Sequence, residues 1–462
     1  MSGSDFPTVL AALQARGRFG VNLGLARVRA LLRELGDPQR GLPGVLVGGT
    51  NGKGSVQALV AAVLAAAGLR VGQTPKPHLS SYRERLVVAG QPIEPDEFAT
   101  LVGGVLDLAE RVAPRFGPPT EFEVLTAAAF AWFAERQVEL AVVEVGLGGR
   151  LDATNAWDGG VAAITNVEWD HMDRLGPTLA AIGREKAAII KRGDRAVTGA
   201  SGPGLAVIRR RAARLAVPLR ETPPLGVVGM ARDGLHLAHP DLGELRVALL
   251  GRHQAANVAV ALGIIADLEA AGIAAVDEAA LRRGLASARW PGRLELLVQG
   301  TDGRAMPIAL AGAEVAPQPG RPDIVLDGAH NESGAAALAA ALDELRPSIS
   351  PGRPTLLLGV MADKDVPRLV GRLAGAAALR EARIVTTAAP GPRAASAASL
   401  AATWQADERG RRAEVVPIES LDAALGLALG GARAVDGPLV VAGSLYLVGA
   451  VRDRLGLAEV AP

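Results

Sequence analysis

Cysteine is absent from the 462 residues, which excludes disulfides and thiolate metal sites and fits a reducing compartment. Aromatic residues make up 3%, too few for a surface that stacks nucleic-acid bases. An excess of one charge is missing too. The formal net charge is +1, so no overall field draws in nucleic acid or anionic lipid. The most apolar stretches, 56–69 and 438–451, are shorter than the ~18–20 residues that a membrane span needs. The opening MSGSDFPTVLAALQARGRFG lacks a charged region followed by a long apolar run, so no secretory signal is read there. These absences lead us to expect a soluble, cytoplasmic protein that takes neither nucleic acid nor membrane as a partner, and a monomer is expected as well.

Lysine is scarce beside arginine and occurs only at 53, 76, 186, 191 and 364. Where arginine is the default cation, a surviving lysine marks a place for a compact charge or an amine, which a guanidinium cannot supply. Asparagine is also rare, at 22, 51, 155, 166, 257 and 331. Hydrophobic residues form 49% of the chain, ample for buried cores, and the length suggests two domains.

Strand and helix patterns alternate from the start. GVLVGG reads as a short buried strand and SVQALVAAVLAAAG as a helix ending at Gly68, followed by the helix TEFEVLTAAAFAWFAERQ, the strands LAVVEVG and GVAAITNV and the helix TLAAIGREKAAIIK. That alternation predicts an α/β fold with a mostly parallel sheet covered on both faces. Over 202–250, short apolar runs broken by Pro and Gly predict a small antiparallel β insertion. A second βα alternation from RPDIVLDGAHN onward predicts a smaller Rossmann-like α/β domain. The junction is placed near Pro291, giving domains 1–290 and 291–462.

VGGTNGKGS, residues 47–55, lies between the first strand and its helix. Backbone N–H groups of 49–54 can converge on phosphate oxygens, Lys53 can bridge the terminal phosphates and Ser55 can offer a hydroxyl to Mg²⁺. The plainer reading is a turn that uses glycine for positive φ. A strand, loop, lysine and helix in that order favour the nucleotide. The pattern is unusual in one respect, since Gly54 separates the lysine from the hydroxyl residue.

Glu144 ends a buried strand, where open α/β sheets bind ligands, and reads either as a second Mg²⁺ ligand or as a helix cap. His171, between Asp170 and Asp173, reads as a metal ligand or a structural imidazole. Lys186 reads as a functional amine or as an ordinary ion-pair partner of Glu185.

GTNGKGS, VGLGGRLDATN, DHMDRLGPTLAAIGREKA, LLGRHQAANVAVAL, WPGRLE, LDGAHN and GSLYLVGAVR follow one another over residues 25–455. Their order resembles the folylpolyglutamate synthase and dihydrofolate synthase family of the Mur ligase superfamily, whose own loop has a glycine after the lysine. The resemblance implies ATP-dependent amide formation. The carboxylate of dihydropteroate or a reduced folate takes the γ-phosphoryl of ATP, and the amine of L-glutamate displaces phosphate from the acyl phosphate.

The resemblance also implies site residues. Gly49, Thr50, Asn51, Gly52, Lys53, Gly54 and Ser55 would hold the nucleotide, with Asn257 at the adenine, Arg293 at a phosphate and Asp327 nearby. Two Mg²⁺ ions are implied, one on Ser55 and Glu144 and one on Glu144, His171 and a carbamylated Lys186. His330 matches a residue near the glutamate site, and His78, Arg85 and Phe122 match positions near the pterin. Lys76 stands where the family's SPHL segment has serine.

Three alternatives remain at this point. A peptidoglycan-type Mur ligase would need room for a UDP-binding domain ahead of the loop. A P-loop kinase would release a stable phosphorylated product. A non-enzymatic ATP switch would bind without acceptor-stimulated turnover.

Overall fold

The computed structural model describes residues 5–20, 22–299, 304–308 and 316–457. The first sheet is built from β1 (Gly44–Gly48), β2 (Val71–Thr74), β3 (Val87–Val88), β4 (Gln91–Pro92), β5 (Leu140–Glu144), β6 (Gly160–Ile164), β7 (Arg195–Thr198) and β8 (Leu219–Glu221). Its spatial order is β4-β3-β2-β5-β1-β6-β7-β8. All neighbours from β2 to β8 run parallel, and only β3 and β4 are antiparallel additions at one edge.

β1 and β5 are buried along their whole length, as expected of parallel strands covered on both faces, and they read as unbroken apolar runs for that reason. Their register sets Val47 beside Glu144, so the C-terminal end of β5 delivers a carboxylate next to the loop that leaves β1. Gly52, at φ +79°, turns that loop into the helix Lys53–Ala66. Gly68, at φ +90°, follows the helix end, the left-handed stop that glycine adopts without strain.

The antiparallel insertion is shorter than the sequence pattern suggests. Gly202–Leu215 is a helix, with Pro203 in its first turn and Val207, Ile208 and Ala212 buried. A proline there removes an N–H that has no intrahelical acceptor anyway. β8 then joins the first sheet parallel to β7. Only β9 (Gly226–Ala231), β10 (Gly234–His239) and β11 (Gly243–Val247) form the separate antiparallel sheet.

The third sheet contains β12 (Glu295–Gln299), β13 (Ala305–Pro307), β14 (Ile324–Asp327), β15 (Thr355–Leu358), β16 (Arg383–Thr386), β17 (Glu414–Pro417) and β18 (Leu439–Ala442), in the order β13-β12-β14-β18-β15-β16-β17. β14 through β17 are parallel, and β12 and β13 are antiparallel. The small sheet fastens the two halves together. Met230, Leu235 and Leu245 share an apolar cluster with Leu338 and Leu342 of the helix Glu332–Leu345. Arg232 forms a buried ion pair with Asp323, whose Oδ2 also accepts from the Ser350 N–H at 2.8 Å. A charge pair at this depth persists because its remaining hydrogen-bonding capacity is met.

Candidate active site

The loop after β1 is braced from the strand next to it. Asn166, just beyond β6, accepts at Oδ1 from the Thr50 and Asn51 N–H groups at 3.1 and 2.9 Å, and Thr165 Oγ1 donates to the Asn51 carbonyl at 2.6 Å. Asn51 Nδ2 in turn donates to Glu168 Oε2 at 2.8 Å. With the first amides tied down, the N–H groups of the opening turn of Lys53–Ala66 are those without intrahelical acceptors, and they present the positive helix end to an anion.

The loop glycines are spatial requirements. A Cβ on Gly52 would lie 2.1 Å from Asn257 Oδ1, and one on Gly54 would lie 2.1 Å from Trp290 Cζ2. The unusual glycine after Lys53 is therefore the place where the junction tryptophan seats its indole. Asn257 also donates to Gln254 Oε1 at 2.7 Å, and Gln254 reaches Ser55 Oγ at 3.4 Å. Asn257 thus supports the underside of the loop.

Two ammonium groups converge on one carbonyl. Lys53 Nζ donates to Gly49 O at 3.1 Å and to Thr50 O at 3.0 Å, and Lys186 Nζ donates to the same Gly49 O at 2.8 Å. Lys186 is 1% exposed, so it is no surface partner of Glu185, which pairs with Arg150 at 2.9 Å. Burial, and then the charge of Lys53, push the Lys186 ammonium down to about 8, against the pull of Asp170. Glu144 is also buried, at 4% exposure. Burial pushes its carboxyl up, while Lys53, Lys76 and Arg293 oppose that shift.

Arg293 links the two halves of the site. It is half-buried, and the charges of Asp327 and Glu144 act on its guanidinium against the burial that pushes its pKa down. Asp327 is fixed by its backbone neighbours, accepting from Leu294 N–H and Ala329 N–H, each at 2.7 Å. His330 is held at Nδ1 to Gly328 O at 2.8 Å, which places it on the same turn.

A cavity of about 410 Å³ opens beside this cluster, with Phe122, Glu123, Gly146, Leu147 and Asp152 in its wall. Asp152 holds the wall in shape. Its Oδ2 accepts from the N–H groups of Gly146 and Leu147, and its Oδ1 from the Thr154 N–H and hydroxyl. Glu123 closes a capping box with Thr120 and pairs with Arg27 at 2.9 Å. A cavity of this size, with apolar Phe122 and Leu147 beside polar Asn22 and Glu121, suits a heteroaromatic ligand that also hydrogen-bonds.

The remaining predicted residues are placed differently. His78 accepts at Nδ1 from Arg85 Nε at 2.8 Å. Burial, with the Arg85 charge added, pushes the imidazole down to about 4, so the ring is neutral. The pair packs against Tyr82, and neither residue lines the cavity that holds Phe122. His171 faces outward with a side chain 55% exposed, 3.5 Å from Asp170. The charge of that Asp170 also acts on Lys186. Lys364 pairs with Asp363 at 3.2 Å.

Among the described residues no group of three or more His, Cys, Asp or Glu side chains is arranged to hold a metal ion. The donors at the loop are the Glu144 carboxylate and the Ser55 hydroxyl. That set fits a Mg²⁺ ion that arrives with nucleotide phosphates and keeps most of its ligands from them and from water. It does not fit an all-protein cage. Lys186, as an ammonium donating to Gly49 O, offers no ligand atom.

Sequence reading passed over Asn166, Asp152 and Trp290. Asn166 carried a signal, being one of the few asparagines. Asp152 and Trp290 carried none outside the quoted motifs.

With this geometry in view, residues 47–265 match the Mur ligase middle domain and residues 313–445 the Mur ligase glutamate ligase domain. A dihydrofolate synthase/folylpolyglutamate synthase of Bacillus subtilis is 34% identical over 371 residues, covering 78% of this chain and 81% of that protein. The solved structure of Mycobacterium tuberculosis folylpolyglutamate synthase complexed with ADP superposes with a TM-score of 0.78 at 31% identity, covering 98% of this chain and 99% of that one. Escherichia coli FolC in complex with DHPP and ADP gives 0.75 at 28% identity, covering 99% of each chain.

Proposed function

The chain belongs to the folylpolyglutamate synthase and dihydrofolate synthase family of Mur ligases, and from that premise we propose that it joins L-glutamate to a pteroate or folate carboxylate at the expense of ATP. The observation that carries this reading is the convergence of Lys53 and Lys186 on one carbonyl. The half-buried Lys53 ammonium and the helix N-terminus beside it are aimed at the same point and call for a polyanion, while the buried Lys186 amine stands against the same carbonyl.

The chemistry divides into two displacements. An acceptor carboxylate oxygen attacks the γ-phosphorus, the bond to ADP breaks and an acyl phosphate forms. The free amine of glutamate then attacks the acyl carbon, phosphate leaves with the electron pair of the broken C–O bond, and the amine gives up a proton. Lys53 and the loop amides hold the transferring phosphoryl, Arg293 joins them from the junction, and the cavity beside Phe122 takes the pterin. Ser55 and Glu144 would hold a Mg²⁺ ion together with the nucleotide, and the ion would supply positive charge against the phosphates. We place the division between the nucleotide half and the glutamate half at Pro291. Residues Asp327 and His330 present the second half's surface to the site. A cytoplasmic setting supplies ATP and glutamate together.

The purified chain is expected to release phosphate from ATP only when glutamate and a pteroate-type acceptor are both present. Offering dihydropteroate and tetrahydrofolate in parallel identifies the acceptor. Equal turnover with UDP-linked muramyl acceptors would overturn the folate reading.

A carbamylated Lys186 belongs to the same proposal. Burial favours the free amine, which forms an N–C bond to CO₂ and releases a proton, so formation is favoured as pH rises through about 8. Protein equilibrated with ¹³C-bicarbonate is expected to show a carbamate carbon resonance that is missing in Lys186→Arg. A spectrum without that resonance at pH 8.5 would leave Lys186 as an unmodified lysine.

A further inference from the structure

Lys76 has no part in the chemistry above, yet it stands at the centre of the site. Its N–H donates to Glu144 Oε2 at 3.2 Å and its ammonium donates to the Glu144 carbonyl. The same ammonium lies 4.5 Å from the centroid of the Phe122 ring. Phe122 belongs to the wall of the 410 Å³ cavity, whereas Glu144 belongs to the cluster at the nucleotide loop. Lys76 therefore sits on the partition between acceptor cavity and phosphate site.

An ammonium carries three N–H donors. Among the described residues Lys76 Nζ has one hydrogen-bond acceptor, the Glu144 carbonyl, so its other N–H groups, one side of the ammonium lying against Phe122, make no hydrogen bond to the protein. The nearest carboxylate on the cavity side, Asp152, already takes backbone or hydroxyl hydrogens on both oxygens. The terminal phosphates are already assigned to Lys53, which donates at Gly49 and Thr50, and to the loop amides. What lacks a partner is the acceptor's own carboxylate. With its ring in the cavity, the acceptor must carry that group past Phe122 to reach the loop.

We propose that Lys76 binds the reacting carboxylate of the acceptor, orients its oxygen toward the terminal phosphoryl and makes the site selective for an anionic acceptor. The inference rests on the ligase reading of the preceding subsection. No proton moves in this role. The lysine stays charged while the carboxylate oxygen forms its bond to phosphorus, and the interaction persists on the acyl phosphate. The serine that the family resemblance leads one to expect at this position could offer a hydrogen bond but no charge.

The test compares dihydropteroate with its carboxamide, by calorimetric binding to the full chain in the presence of ADP and Mg²⁺. Wild type, Lys76→Met, Lys76→Ser and Lys76→Arg are measured, with melting temperature and the KM for ATP recorded for each. A charge-assisted contact predicts that wild type prefers the acid by about tenfold or more. Lys76→Met and Lys76→Ser should remove most of that preference by weakening the acid alone, and Lys76→Arg should keep a substantial part of it. The Ser variant serves if the Met variant does not fold.

Equal weakening of acid and amide in the Met or Ser variant would reduce Lys76 to a support for Glu144. An intact preference with a raised KM for ATP would assign it to the phosphates. Either result overturns the proposal. A wild-type chain that neither binds dihydropteroate nor releases phosphate with glutamate refutes the ligase reading itself. Wild-type turnover with the preference unchanged in both variants refutes Lys76 alone.

Discussion

Lys53→Met is expected to lower kcat for glutamate-dependent phosphate release about a thousandfold, the scale of losing one preorganised charge at a transition state, with little change in melting temperature. Among the described residues the ammonium is held by Gly49 O and Thr50 O alone. Removing it leaves Gly49 O with Lys186 still donating to it and the Thr50 carbonyl on a half-buried loop residue, and it also relieves the repulsion that Lys53 exerts on Lys186. The folded state therefore loses little. The transferring phosphoryl loses its nearest mobile cation. Lys53→Arg should not restore the rate, because a planar guanidinium cannot occupy the space of a compact ammonium in a loop closed by Asn257 and Trp290. Phosphate release under saturating ATP, acceptor and glutamate gives the number. Retention of more than a tenth of wild-type kcat would mean that Lys186, donating to the same carbonyl, carries the terminal phosphate.

Gly54→Ala comes next in expected effect. The new methyl would meet three atoms of the Trp290 ring at 2.1, 2.6 and 2.8 Å, closer than packed carbons approach. Gly54 is helical with no positive φ, so backbone strain is not the issue and the cost is steric. Overpacking of this kind costs about 1–3 kcal/mol unless a neighbour yields, and the neighbour here is a tryptophan at the junction. Trp290, Pro291 and Arg293 line one narrow cleft, so an indole pushed aside disturbs the arginine that feels the charges of both Asp327 and Glu144. The expected result is a fall in kcat/KM for ATP of between about tenfold and a hundredfold, the rate equivalent of that energy. The double variant Gly54→Ala/Trp290→Ala should recover part of what Gly54→Ala loses relative to Trp290→Ala alone. Additive losses would show that the glycine answers to something other than the indole.

The sequence alone determined the features that local chemistry writes into a short segment. Apolar runs fixed β1 and β5 as buried strands. The loop 47–55 declared itself by glycine and lysine, and a carboxylate at the end of LAVVE had to emerge at the sheet's C-terminal edge. Motif order over residues 25–455 carried the family, and the scarcity of lysine singled out Lys186 and Lys76. Even the error over 202–221 was local, since a proline that opens a helix and one that interrupts strands look alike in sequence.

Only the tertiary structure decided which faces meet. Lys186 and Gly49 are 137 residues apart and touch because the helix Leu179–Ala187 packs over the loop after β1. Asn166 braces Thr50 because β6 lies next to β1. His171 looked as promising as Lys186, but it begins a short exposed helix and turns to solvent. The physical reason is that periodicity specifies the side of its own element on which a residue stands. The neighbour on that side follows from strand order and from how the halves close at Trp290, and no stretch of sequence by itself contains either.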